Sequence, residues 1–233
     1  MVLNEEKLKN IVRKSIRNVL SEARMDGFRL DALRDMPLKK RVAYCKQWLG
    51  QPIGKGSSRI VFQLDDETVL KLAMNKAGIE QNAEEYQLGN DYYAKSNYDF
   101  LVKVYNGSDE DNNEWLVSEY VLPAQAKDFK KITGQPFNVV QEFIYWVLST
   151  ANPQMQMRWR RPISDDEAVD IINNDPTGFF QNLEDFIKNY DYLANVDLVA
   201  LCNWGLVLRD GKPSMVILDT GLSDTVYRRY YFK

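Results

Sequence analysis

Between Ile53 and Ala73 the chain reads IGKGSSRIVFQLDDETVLKLA, and one residue in it restricts the fold more than any other. Lys71 stands between Val69-Leu70 and Leu72-Ala73, in an apolar run where a solvated cation gains nothing. Ile60, Phe62 and Leu64 alternate onto one face of a strand, with Val61 on the other. Asp65-Asp66-Glu67 makes a turn, and Val69 to Ala73 returns as a second strand. Ahead of the hairpin lie Gly54, Gly56, Ser57 and Ser58. The segment is either a glycine-bearing loop over a phosphate with a lysine beneath it, or a β-hairpin with a polar turn.

The available chemistry is bounded by an absence, since 233 residues include no histidine. Imidazole bases, Ser-His-Asp and Cys-His nucleophilic sites and His-ligated zinc are all excluded. Carboxylates, lysine, backbone amides or a hard metal ion remain. Cys45 and Cys202 are far apart in sequence, so no disulfide framework is expected and a reducing, cytoplasmic setting fits. A net charge of -3 leaves no basic footprint for nucleic acid. No run approaches the ~18 apolar residues of a membrane span, and the charged N-terminus lacks a secretory core. With 45% apolar residues the chain can bury the core of one large domain or of two lobes.

Apolar residues from Leu8 to Ala23 recur at helical spacing, predicting an amphipathic helix over Glu5 to Arg24 with a mildly basic opposite face. It packs on its own domain or on a protein partner, and it resembles the short helix that opens many tailed-phage proteins. A second helix is predicted over Leu38 to Leu49, after Pro37 and before Gly50. Helical spacing continues from Ile79 to about Lys95 with Glu80, Glu84 and Glu85, followed by strands at Leu101–Tyr105 and Trp115–Val121. Beyond Pro123 the pattern is helical to Tyr190, over Ala124–Ile132, Phe137–Thr150, Asp165–Asn173 and Thr177–Tyr190. A hairpin then runs from Gly205 to Leu218 across Arg209-Asp210-Gly211-Lys212. The expected divisions are 1–27, a leading helix; 28–122, a helical lead-in with a sheet lobe; and 123–233, a helical lobe ending in the hairpin.

In this order the residues resemble the protein-kinase-like superfamily across about Ile53 to Leu222. Gly54-Lys55-Gly56-Ser57-Ser58-Arg59 is similar to its glycine-rich loop, Val69-Leu70-Lys71 to its lysine strand, and Asp219-Thr220-Gly221 to its Asp-Phe-Gly metal motif. The resemblance implies a two-lobed α+β fold with a small antiparallel-sheet lobe and a helical large lobe. It also implies ATP held by Gly54, Gly56, Ser57, Ser58, Lys71, Glu85, Glu119 and Val121. Glu85 orients Lys71 in that scheme, with Glu84 its rival, because neighbouring helical residues point about 100° apart. Mg²⁺ falls to Asp219 and Asn203, and Asp197 is the residue that accepts a proton from the substrate, with Asp191 a spare.

The match departs from the family in three places. Arg59 stands at the third glycine, where it either crowds the loop or reaches a phosphate. The interval from Asp197 to Asn203 is one residue longer than usual, and Asn195 replaces the customary histidine. Beyond Gly221 there is no stretch for a peptide-holding subdomain, so the acceptor is a small molecule or an unidentified protein seated on the helices. Trp146 and Met157-Arg158-Trp159-Arg160-Arg161-Pro162 are candidate contributors. The expected function is ATP–Mg²⁺-dependent phosphoryl transfer. The alternative is a catalytically inactive kinase-like module that binds or scaffolds, placed in a phage particle rather than in host cytoplasm.

Overall fold

A computed structural model describes residues 27–108, 113–151, 163–190 and 195–232. The leading helix, the Met157–Pro162 patch and Asp191 lie outside the described residues. The fold is mixed α+β and divides into two compact units. One comprises the chain up to Asn82 with Tyr105–Tyr120, the other Ala83–Val104 with Val121 onward.

The first unit is built on a five-stranded sheet: β1 (Gly54–Lys55), β2 (Arg59–Gln63), β3 (Thr68–Ala73), β4 (Val104–Gly107) and β5 (Trp115–Glu119). The spatial order is β1-β2-β3-β5-β4, and the pairs β1–β2, β2–β3 and β3–β5 are antiparallel. The alternation of the hairpin sets its two faces. Ile60, Phe62, Leu64, Leu70, Leu72, Trp115 and Val117 form one buried cluster with Leu33, Cys45 and Leu49. The last two come from helix α1 (Leu38–Leu49), whose buried residues Arg41, Cys45 and Leu49 recur every four positions along one stripe. Its ends follow from Pro37, which supplies no N–H, and Gly50, whose φ of 89° suits glycine. Lys71 therefore lies on the sheet face opposite α1, beside Val61 and Leu116 in register.

Helix α2 (Lys76–Asn90) follows β3 and ends before the single helix expected through Lys95 does. Asp91 interrupts it, accepting from Ala94 N at 2.7 Å to cap a short helix, α3 (Tyr92–Asn97), and from Tyr190 Oη at 2.6 Å.

The second unit has helices α4 (Ala126–Thr133), α5 (Phe137–Ala151), α6 (Asp165–Asn173), α7 (Phe179–Asn189), α8 (Asn195–Leu198) and α9 (Asp224–Tyr230). Its aromatic core joins Phe129, Phe143, Phe180, Phe186 and Trp204, all fully buried. A three-stranded sheet orders β6 (Leu122–Pro123), β7 (Trp204–Arg209) and β8 (Lys212–Ile217) antiparallel. The β7–β8 turn has φ of 51° at Asp210 and 77° at Gly211, the two left-handed positions that a right-twisted two-residue hairpin demands. Leu101, expected in a strand, makes only a parallel bridge to Ile217. Among the described residues no helix is long and apolar enough to cross a membrane.

Candidate functional site

In the first unit, Gly54 pairs with Val61 and Lys55 with Ile60, and Gly56 N donates to Arg59 O at 2.9 Å, closing Ser57 and Ser58 into a tight turn. Neither Gly54 nor Gly56 has a positive φ. A Cβ at Gly54 would come no nearer than 3.6 Å to Val61, and one at Gly56 no nearer than 3.8 Å to Arg59 O, ordinary contact distances. Packing and backbone conformation therefore leave these two glycines unexplained, although glycine in a strand costs roughly 0.5–1 kcal/mol against alanine.

The far side of the turn is fastened to α2. Asn75 Nδ2 donates to Ser57 O at 3.1 Å while its Oδ1 accepts from Gly78 N at 3.0 Å. A Cβ on Gly78 would fall 2.2 Å from Ser58 O, so only glycine allows the helix this close. Ser58 is buried and its hydroxyl donates to Gln81 Oε1. Arg59 is 5% exposed and its Nη1 donates to Asn82 Oδ1 at 3.2 Å, so this guanidinium is packed against the helix. Lys71 is 6% exposed and Glu85 1%. Glu85 shares a face of α2 with Asn82 three residues before it, whereas Glu84 does not. Glu119, half-buried, ends β5 opposite Thr68.

In the second unit, Asn203 precedes β7 and is bonded to the backbone of Asp197 and of Leu218, the residue before Asp219. Asn203 Nδ2 donates to Asp197 O at 3.1 Å, six residues back along the chain. A 3₁₀ turn over Leu201–Asn203 lies within that interval. Leu218 N donates to Asn203 O at 2.8 Å, which sets Asp219 beside Asn203 at the root of the hairpin. Asp219 Oδ1 accepts from Gly221 N at 3.2 Å. Val121 instead packs its side chain with Val102 and Val216, and against Gly205.

Asn203 donates its Nδ2 to the backbone carbonyl of Asp197, and its amide oxygen accepts from Cys202 Sγ at 3.8 Å. Two hard oxygen donors, an amide and a carboxylate, are a set that Mg²⁺ accepts when phosphates and waters complete the octahedron. Among the described residues no group of three or more Asp, Glu or Cys side chains is arranged to hold a metal.

Two features escaped the sequence. The stripe Asn75, Gly78, Gln81, Asn82 has helical spacing, and its signal was an uncharged polar face beginning before Ile79. Ser118, opposite Val69 on the Lys71 face, is fully buried, with no hydrogen-bond partner for its hydroxyl among the described residues. No local pattern marks it. No protein-family model and no curated protein sequence matches the chain.

Proposed function

We propose that the protein is a kinase-like phosphotransferase that binds ATP with Mg²⁺ and acts on a small-molecule or protein acceptor. The observation that carries this reading is the pair Gly54 and Gly56, which neither backbone nor packing requires and which close approach of a phosphate does. The strand order β1-β2-β3-β5-β4 with buried Lys71 on β3, and the backbone bonds that link Asn203 to Asp197 and to Leu218, support it.

MgATP supplies the phosphoryl group. Lys71 neutralises phosphate charge and Glu85 orients it; Asp219 and Asn203 hold the cation; Asp197 accepts the proton of the acceptor hydroxyl. Ser57, Glu119 and the Val121 backbone complete the nucleotide contacts. The second reading, a catalytically inactive module serving as a binding or virion component, is favoured by Asp219 Oδ1 capping Gly221 and by Ser58 and Arg59 being engaged with α2.

Thermal unfolding with millimolar MgATP separates the two. A ligand of the native state raises the midpoint by mass action. Asp219→Asn keeps the capping oxygen but not the charge, and should abolish the metal-dependent part of the rise with little effect on the apo protein. No shift in the parent protein would leave the inactive module.

A further inference from the structure

Arg59 is a buried cation at the position where the loop turns into β2, and a buried asparagine accepts a hydrogen bond from it. Asn82, fully buried, accepts from Arg59 Nη1 at 3.2 Å and donates Nδ2 to Asn113 O at 2.9 Å and to Lys71 O at 3.5 Å. One side chain thus touches the loop end, the lysine strand and the entry to β5. Asn75, Gly78 and Gln81 lie along the same stripe of α2, and each contacts the turn Ser57–Ser58. Met74 N adds a bond to Ser58 O at 2.7 Å. A stripe of four helical positions joined to three consecutive loop residues forms a rigid seam, because each bond restrains groups already fixed by the others.

We infer that Arg59 and Asn82 are positioning residues that lock the glycine-bearing loop and the Lys71 strand to α2, so that phosphates meet a preset geometry. This rests on the nucleotide reading for its function, though not for the lock itself. Arg59 makes no phosphate contact in this account. It replaces the freedom of a third glycine with a fixed attachment, behind the glycines Gly54 and Gly56 that face β2.

The test compares the parent with Asn82→Ala and Arg59→Met. The second variant matches volume and removes the buried cation, so it folds even if the first leaves Arg59 stranded. Amide hydrogen exchange at Ser57, Ser58 and Arg59 is measured without ligand, and MgATP affinity by titration. Arg59→Met should unfold cooperatively, exchange at these amides about tenfold faster and bind MgATP about tenfold more weakly, the scale of one lost charged hydrogen bond. Unchanged exchange overturns the lock, and faster exchange with parental affinity overturns the positioning role. If the parent does not bind MgATP the nucleotide reading fails by itself. Exchange alone then decides, with faster loop exchange in Arg59→Met supporting the lock and no change overturning it.

Discussion

Asn203 donates its side-chain N–H to the backbone carbonyl of Asp197, and its own backbone carbonyl accepts from the N–H of Leu218, the residue before Asp219. Three chain segments therefore converge on one amide. Cys202, exposed, sits next to it with Sγ 3.8 Å from Asn203 Oδ1. Cys45 is buried. Alkylation of the native protein should consume one thiol quickly and one only after unfolding. If Asn203 holds a nucleotide-bound cation, MgATP should slow labelling of Cys202 severalfold and ATP with chelator should not, as read by mass spectrometry.

Gly54→Ala and Gly56→Ala should leave the urea midpoint unchanged or raise it, by up to about 1 kcal/mol, since neither site lacks room or requires a positive φ. Both should weaken MgATP binding at least tenfold. Undiminished binding in both variants would remove the reason given for these glycines.

Arg41 is 6% exposed and its Nη2 lies 2.5 Å from Glu114 Oε2, joining α1 to the approach to β5. Its Nε has no hydrogen-bond partner among the described residues. Arg41→Met should destabilise by about 2–3 kcal/mol, below the full cost of a stranded buried charge because Glu114 keeps some contact with water. Adding Glu114→Gln should recover most of the loss, as measured by urea denaturation.

Ser118 buries a hydroxyl that has no partner among the described residues, a cost of about 1 kcal/mol or more. Ser118→Ala should raise the thermal midpoint by a few degrees, reported by calorimetry. A fall would mean that the hydroxyl is satisfied in solution.

Two buried groups make the fold alkali-sensitive. Burial pushes the Cys45 thiol up to about 12, and burial together with the Asp185 carboxylate raises the Tyr98 phenol, whose O–H donates to Asp185 at 2.7 Å. The folded state keeps both protons longer than the unfolded chain does. Stability is then full below pH ~8 and declines as pH rises through the thiol's and then the phenol's ordinary range. Cys45→Ala should be less stable near neutrality yet lose less between pH ~8.5 and ~10.

Much of this was legible locally. Pro37 and Gly50 bracket α1 at the expected residues, Asp165–Asn173 was predicted to the residue, and Asp210-Gly211 marked the last hairpin. The alternation of Ile60, Phe62 and Leu64 assigned the sheet face opposite Lys71. What escaped depends on partners distant in sequence. The break at Asp91 requires Tyr190, 99 residues away, to take up the same carboxylate that caps α3. Arg59 left two outcomes open until Asn82, 23 residues later, drew it inward. The bond from Asn203 to the Asp197 carbonyl follows from a 3₁₀ turn over Leu201–Asn203, which no composition signals.

The β7–β8 hairpin has a practical corollary for protein engineering. Its register runs unbroken from Trp204↔Ile217 to Arg209↔Lys212, and its far end is an exposed Asp-Gly turn. The arms work as a ruler that fixes Asn203 against Leu218, the residue before Asp219, while the tip measures nothing. A tag or split point between Asp210 and Gly211 should therefore leave that pair aligned, whereas one residue added within a single arm turns every later side chain to the wrong face.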